Sequence, residues 1–182
     1  VKQSGGIHKF MNWNKPILTD SGGYQVFSLA SLNKISDSGV EFKNPRDGSL
    51  IFLDPEKVMD IQIDLGSDIV MAFDHCPPST ANENEIEASL NRTNLWLERC
   101  VNKKLNSNQA LFGIVQGGKY PHLRELSAKF VSSFDLPGIA VGGVSVGESI
   151  DLIHDVIKFV PTFLPVNKPR YLMGIGSLSE IA

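Results

Sequence analysis

The sequence predicts an α/β fold in which short parallel strands alternate with helices. The first observation is a series of short apolar stretches, each followed directly by small, polar or acidic residues. These stretches are residues 16–19, 69–73, 111–115, 138–141 and 171–173. Runs this short, apolar on both faces, are typical of parallel strands covered by helices. The second observation is that helical patterns fall between these stretches, and that alternation predicts α/β architecture.

The intervening helices are predicted from apolar residues that recur at helical spacing. Asp54 is expected to cap a helix with Pro55 in its first position and Gly66 at its end. The apolar stripes expected to face the core are Val58, Met59, Ile61 and Leu65; Ile86, Leu90, Leu97 and Val101; Leu123, Leu126, Phe130 and Phe134; and Ile150, Ile153, Val156, Ile157 and Val160.

A small antiparallel element is predicted as an insertion at about residues 25–53. Two apolar segments, residues 40–43 and 50–53, flank the dipeptide Asp47-Gly48. A dipeptide of this type between two such segments is a strong hairpin signal.

The bulk composition is that of one globular domain with a hydrophobic core, since 42% of the 182 residues are hydrophobic and 20% are charged. No apolar run approaches the ~18 residues that a membrane-spanning helix needs, and the polar first residues predict no signal peptide. Cys76 and Cys100 lack the spacing of a metal-binding pair, which favours reduced thiols and a cytoplasmic protein. A net charge of −3 does not indicate nucleic-acid binding, although a local basic patch remains compatible with it.

The two ends of the sequence suggest a piece of a longer polypeptide. The first residue is not methionine, and the last residues resemble the start of a helix. Ser177 or Ser179 can cap that helix and Glu180 suits its first turn. A helix that stops there cannot bury its apolar face.

Two acids, Asp20 and Asp74, each follow a predicted strand directly. The carboxyl ends of strands meet at one mouth in a (β/α)8 barrel, and a doubly wound sheet also binds ligands at strand carboxyl ends. In a shared apolar mouth these acids can accept hydrogen bonds from a ring N–H or move a proton. The plainer alternative, a helix cap or a surface ion pair, stays open for each of them.

Glycines, an aromatic ring and an amide occupy the same kind of position. Gly22-Gly23 and Gly142-Gly143 allow a flat ligand to approach the backbone, or else serve only tight turns. The remaining candidates are Tyr24 as a stacking ring, Gln116 as a donor and acceptor for a base edge, Met173 as a cover, and Cys76 as a small pocket group. Each has a structural alternative as core or cap. Together they indicate a site for a planar heterocycle rich in hydrogen-bonding groups.

Neither His75 nor the glycines at 174–176 indicate a cofactor. His75 has no second ligand at helical or CxxC spacing, so no zinc site is predicted in this segment. No Gly-x-Gly-x-x-Gly fingerprint occurs, and the phosphate-binding signal at Gly174-Ile175-Gly176 is weak.

Taken in order, five motifs resemble the tRNA-guanine transglycosylase family, also called queuine tRNA-ribosyltransferases. They are "LTDSGGYQVFSL", "MAFDHCPP", "FGIVQGG", "IAVGGVSVGE" and "RYLMGIGS", and the resemblance spans essentially the whole chain. It implies a modified (β/α)8 TIM-type barrel, of which residues 1–182 form the central part of one catalytic domain, here an incomplete barrel segment. The implied enzyme is a pentosyltransferase that exchanges guanine at the anticodon wobble position for a 7-deazaguanine by double displacement, through a covalent aspartyl–RNA intermediate.

The resemblance also assigns roles to individual residues. Asp20 matches the proton acceptor and Tyr24 the ring that stacks on the base. The remaining substrate-binding positions are Ser21, Gly22 and Gly23, which shape the turn; Asp74, Cys76 and Gln116 at the base edge; and Gly142, Gly143, Val144 and Met173 around the base. The stretch that matches a tRNA contact is Gly174, Ile175, Gly176, Ser177, Leu178, Ser179 and Glu180.

Other family features are not matched within these 182 residues. The nucleophile, an Asp in a Gly-x-Asp-x-Phe-Asp-like motif, and the Cys/Cys/Cys/His zinc subdomain are expected further along a full-length chain. Without that Asp, we expect this chain alone to be inactive, and we expect it to bind no zinc. The implied partners are tRNA with a GUN anticodon, guanine, 7-aminomethyl-7-deazaguanine or queuine, and a second copy in a full-length homodimer.

Two alternatives differ from this reading. One is a non-catalytic subunit of the same family, although such subunits tend to lose pocket residues and this pocket set looks intact. The other is an unrelated barrel enzyme for a small phosphorylated substrate. That enzyme would need Lys or Arg at strand ends, where this sequence has acids, an amide and glycines.

Overall fold

The computed structural model describes residues 1–23, 34–44, 46–144 and 147–176. The chain divides into two compact units, of which the first comprises residues 1–75 and 95–111 and the second residues 76–94 and 112–182. Strands and helices alternate along both units, which confirms the predicted α/β class. The parallel strands with intervening helices, together with a small antiparallel sheet, match an incomplete (β/α)8 barrel.

The helices and strands have the following bounds. They are α1 (Ile7–Met11), β1 (Leu18–Thr19), β2 (Lys34–Ser36), β3 (Gly39–Lys43), β4 (Leu50–Leu53), α2 (Pro55–Leu65), β5 (Ile69–Met71), α3 (Glu83–Asn102), β6 (Ala110–Val115), α4 (Pro121–Ser132), β7 (Gly138–Val141), α5 (Ile150–Phe159) and β8 (Arg170–Leu172), with short 3-10 turns at Lys2–Ser4 and Val160–Phe163.

In the first unit, the parallel strands place the ends of β1 and β5 at one edge. The strand order is β1-β5-β6, and Leu18 and Thr19 of β1 pair with Ile69 and Val70 of β5. The N–H of Ala110, at the start of β6, donates to the carbonyl of Asp68 at 2.8 Å. The segments that follow β1 and β5 therefore leave the sheet on the same side, as parallel pairing requires.

The antiparallel sheet β2-β3-β4 contains the predicted hairpin. Lys43 of β3 pairs with Leu50 of β4, and Gly48 between them has φ 72°. The carboxylate of Asp47 accepts a hydrogen bond from the N–H of Ser49 at 3.0 Å, which closes the turn. The hairpin is confirmed, whereas residues 24–33 of the predicted insertion lie outside the described residues.

Helix α2 begins and ends where its local signals predict. The Asp54 carboxylate accepts from the N–H of Lys57 at 2.7 Å, Pro55 is the first helical residue, and Gly66 ends the helix with φ 70°. The predicted stripe is wrong at Ile61, which is 44% exposed, because Gln62 is buried in its place. The Gln62 amide donates to the Met71 carbonyl at 2.9 Å, which anchors the helix to β5.

In the second unit, the parallel order is β6-β7-β8, with Val115 paired to Val141 and Val141 to Leu172. The predicted stripe of α4 is wrong at Leu126, which is 57% exposed. The buried face of α4 instead consists of Leu123, Arg124, Ser127, Ala128 and Val131. Two polar side chains with hydrogen-bond partners occupy the core there, and a count of apolar residues cannot detect them.

Helix α5 is capped by Ser149, whose hydroxyl accepts from the N–H of Leu152 at 3.3 Å. Ile153 and Val156 of its predicted stripe are buried, and Ile150 is 48% exposed. Across the described ranges, we find no helix that combines the length and apolar character needed to cross a membrane.

Candidate active site

In the first unit, the turn after β1 lies against the turn after β5. Gly23 is buried, and a Cβ atom placed on it would lie 2.6 Å from the carbonyl oxygen and 2.9 Å from the Oδ1 atom of Asp74. No side chain fits in that space, so only glycine lets the two turns approach this closely. The structure thus brings Gly23, the last residue of the predicted Asp20–Gly23 turn, next to Asp74.

The two acids of this turn pair differ in their surroundings. Asp74 is only 6% exposed, whereas Asp20 is exposed to solvent. Partial desolvation of the Asp20 carboxyl by nearby protein atoms nevertheless raises its pKa. A carboxylate with a raised pKa is a stronger base, which suits a group that accepts a proton.

Helix α3 contacts the segment around Asp74 through two of its side chains. The ring of Phe73 stacks on that of Trp96, with ring centroids 4.6 Å apart and planes 8° from parallel. The N–H of Phe73 donates to the Sγ atom of Cys100 at 3.4 Å. Burial raises the pKa of the Cys100 thiol to about 12, so this cysteine is an inert packing group.

In the second unit, the residues that follow β6, β7 and β8 surround Gly142. The N–H of Gly142 donates to the Val115 carbonyl at 3.0 Å, and the N–H of Met173 donates to the Val141 carbonyl at 3.0 Å. A Cβ atom on Gly142 would lie 3.0 Å from Nε2 of Gln116 and 3.5 Å from Sδ of Met173. The structure therefore groups Gln116, Gly142 and Met173, as the sequence predicts.

Gly143 continues this group in a backbone conformation that favours glycine. Its φ is 61°, and a Cβ atom there would lie 2.3 Å from Oε1 of Gln116. The N–H of Gln116 donates to the Ser127 hydroxyl at 3.0 Å, which fixes the start of the turn after β6. Gly143 thus leaves the amide of Gln116 in contact with the backbone.

Arg124 is a buried site residue that the sequence analysis missed. It is 1% exposed, and its guanidinium donates to the carbonyls of Gly142 at 2.5 Å and Gly143 at 2.6 Å. The only signal in the sequence is a charged residue beside Leu123 in the otherwise apolar stripe of α4. A charge in a buried stripe is unusual enough to mark a polar contact partner.

A shallow, open pocket lies beside this group in the second unit. Polar side chains and glycines line part of it, and an apolar wall from α3 and α5 completes it. The lining residues that bear on chemistry are Ser79, Ser89, Gln116, Lys119, Gly143 and Glu148. Concave pockets with a few convergent polar groups are the usual places for small ligands.

The remaining predicted residues have varied surroundings. Cys76 and Val144 are buried, at 6% and 4% exposure. In the predicted tRNA-contacting stretch, Gly174 has φ 73° and is exposed, as is Gly176, and Ile175 is half-buried. Tyr24 and residues 177–180 lie outside the described residues. Within the described part of the chain, no group of three or more His, Cys, Asp or Glu side chains is placed to hold a metal ion.

Comparison with known proteins decides the family. The family model described as queuine tRNA-ribosyltransferase matches residues 1–182. The chain belongs to this family. Curated proteins named queuine tRNA-ribosyltransferase from Prochlorococcus marinus are similar to it: that of strain MIT 9312 is 78% identical over all of this chain and 49% of its own length, and that of strain MIT 9303 is 60% identical over the same shares. The chain therefore spans about half the length of the curated relatives that it matches.

Membership in the queuine tRNA-ribosyltransferase family confirms the resemblance read from the five motifs. The roles of individual residues are not decided by membership alone. The geometry places two sets of predicted residues close together, namely Gly23 and Asp74 in the first unit and Gln116, Gly142, Gly143 and Met173 in the second.

Proposed function

We propose that this chain is part of a tRNA-guanine transglycosylase, which exchanges guanine at the wobble position of a GUN anticodon for a 7-deazaguanine. Family membership over residues 1–182 supports this function. The observation that carries it is the group formed by Gln116, Gly142 and Met173, because it places an amide and a thioether beside a residue without a side chain. These are groups that can bind the edge and face of a purine.

Base binding is the first step of the proposed reaction. Asp74 accepts hydrogen bonds from N–H groups of the base, and Gln116 binds its carbonyl edge. Tyr24 stacks on one face and Met173 covers the other. Gly143 and Val144 contact the base through their backbone. A nucleotide inside a folded anticodon loop must be swung out to reach such a pocket.

Exchange then proceeds by two displacements at the ribose C1′ atom. A carboxylate attacks C1′, the bond from C1′ to N9 of guanine breaks with its electron pair going to N9, and an ester between RNA and enzyme forms while guanine takes up a proton from solvent and leaves. The incoming base next attacks C1′ through its ring nitrogen and displaces the carboxylate, while its proton passes to Asp20. Two inversions give net retention, as in a retaining glycosidase. The attacking Asp belongs to the Gly-x-Asp-x-Phe-Asp-like motif of the family, which does not occur in these 182 residues.

The other parts of the proposal concern the full-length protein. Residues 174–180 contact tRNA, a homodimer forms, and the enzyme acts in the cytoplasm. The incoming base is 7-aminomethyl-7-deazaguanine or queuine. The zinc expected for the family has no role in any step described here.

The proposed function is tested with the sequence inside a polypeptide of full family length. We expect it to incorporate radiolabelled guanine into tRNA with a GUN anticodon, because guanine exchange needs no other base. The matched control is the same tRNA with adenine at the wobble position, which should gain no label. Binding of guanine without incorporation would favour the non-catalytic subunit, and retention of a sugar phosphate without guanine binding would favour the unrelated barrel enzyme.

Substitution of Gly143 by alanine is expected to raise the KM for guanine by about tenfold or more, the value of one lost hydrogen bond. The new Cβ atom would lie 2.3 Å from Oε1 of Gln116, so the amide must move away. Steady-state exchange kinetics measure this effect.

Gly66→Ala is the matched control for Gly143→Ala. Gly66 also has a left-handed backbone, with φ 70°, but a Cβ atom there meets nothing within 4 Å. It should reduce stability slightly through backbone strain and leave the KM for guanine unchanged. Equal KM values in the two variants would contradict a role of Gly143 at the base.

A further inference from the structure

A buried arginine that has no part in the proposed reaction lies directly behind the glycine pair. Arg124 comes from the first turn of α4, and its Nη1 and Nη2 atoms donate to the carbonyls of Gly142 and Gly143 at 2.5 and 2.6 Å. Its Nε atom donates to the carbonyl of Gly118 at 2.8 Å. One guanidinium thus joins the turn that follows β6 to the turn that follows β7.

Burying an arginine on this helix face is unfavourable in free energy. Taking a guanidinium out of water costs free energy, and a methionine or leucine would fill a buried helix position without that cost. Desolvation lowers the pKa of Arg124 to about 10, which leaves the side chain charged at neutral pH. Charged donors make short, directional hydrogen bonds, and the planar guanidinium fixes their geometry. The gain from this residue is therefore one of geometry rather than of packing.

Because the peptide bond is planar, fixing the direction of a carbonyl also fixes the direction of the N–H group in the same peptide. In a trans peptide, the C=O and N–H groups point in opposite directions. The carbonyl of Gly142 shares its peptide with the N–H of Gly143, and the carbonyl of Gly143 shares its peptide with the N–H of Val144. Holding both carbonyls therefore directs both N–H groups away from Arg124.

The conformational freedom of glycine explains why these peptides need an external constraint. Gly143 has φ 61°, and a glycine backbone can rotate its peptide planes at little steric cost. Without an external constraint, the peptides on either side of it would sample several orientations. Arg124 supplies the constraint through two of its donors.

We propose that Arg124 is a positioning residue for base recognition, which holds the peptides of Gly142 and Gly143 so that the N–H groups of Gly143 and Val144 face the base. The inference rests on the proposed function, in which these backbone groups contact the base. Arg124 itself acts only through the glycine carbonyls.

The test compares Arg124→Met and Arg124→Lys in a polypeptide of full family length. We expect Arg124→Met to raise the KM for guanine by about ten- to a hundredfold, as for the loss of a charge-assisted hydrogen bond, while the KM for tRNA stays unchanged. Arg124→Lys should give a smaller increase, because an ammonium group is still a charged donor, although it lacks the planar fork that reaches both carbonyls.

Val131→Ala is the matched control, since Val131 is fully buried on the same helix. It should lower the unfolding temperature and leave the KM for guanine unchanged. An unchanged KM for guanine in Arg124→Met, or an equal rise in the KM values for guanine and tRNA, would overturn the proposal. Exchange activity of the unmodified protein in the same assay separates this result from failure of the proposed function.

A second measurement does not depend on the folding of a variant. The backbone N–H resonances of Gly143 and Val144 in the unmodified protein are followed by NMR during titration with guanine. A shift that saturates with guanine binding supports the proposal. A resonance that does not move while guanine binds overturns it.

Discussion

Replacing Asp20 by asparagine is expected to reduce guanine exchange by about a hundred- to ten-thousandfold, the usual contribution of a general base. The amide keeps the shape of the side chain but cannot accept the proton that the incoming base releases. Label incorporation into tRNA under single-turnover conditions measures the loss. An exchange rate within about threefold of the unmodified protein would exclude Asp20 as the base, since proton transfer contributes far more than that.

The raised pKa of Asp20 predicts how the exchange rate depends on pH. Desolvation raises that pKa above its ordinary value of 3.8. The ionised form accepts the proton, so the exchange rate should rise with pH through the raised pKa, at a higher pH than for an unperturbed aspartate. The rate profile at saturating substrate measures this limb.

The raised pKa of Asp20 also predicts that Asp20→Asn does not lower folding stability at neutral pH, so a loss of exchange cannot come from unfolding. The folded state binds the Asp20 proton more tightly than the unfolded state, so this group's contribution to stability falls as pH rises through the window above 3.8. At neutral pH the asparagine variant lacks that cost and should unfold at no lower temperature. Asp155→Asn, an exposed acid on α5, is the control that should retain full exchange activity.

Features of the fold that depend on neighbouring residues could be predicted from the sequence. The cap at Asp54, the end at Gly66 and the hairpin at Asp47-Gly48 each involve hydrogen bonds within a few residues. The positions of Asp20, Asp74 and Gln116 after strands also follow from local patterns. Parallel pairing then places the strand ends of each unit at a common edge.

Features that depend on distant residues could not be predicted in this way. Arg124 binds carbonyls 18 and 19 residues further along the chain, and no local pattern encodes that distance. Apolar spacing also placed Leu126 in the core, where it is 57% exposed. The buried partners Arg124 and Ser127 hold that face of α4 through hydrogen bonds, which hydrophobic periodicity does not register.

Trp96→Ala is expected to cost about 3–5 kcal/mol of folding stability, the usual range for removing a large buried aromatic. Trp96 is 1% exposed and stacks on Phe73, and its indole N–H donates to the carbonyl of Asp37 at 2.8 Å. The substitution removes the stack and leaves that carbonyl without its indole donor. Urea unfolding followed by circular dichroism, in a polypeptide of full family length, measures the change.

The consequence for function follows from the position of Phe73, which directly precedes Asp74. The substitution removes the ring stack between this segment and α3, while the bond from the Phe73 N–H to Cys100 stays in place. Folded Trp96→Ala protein, kept below its unfolding temperature, should therefore bind guanine more weakly as well. Leu95→Ala changes the neighbouring residue, which is 40% exposed, and should cost well under half as much stability. An equal loss of stability in Trp96→Ala and Leu95→Ala would contradict this role of the ring stack, because only Trp96→Ala removes the stack.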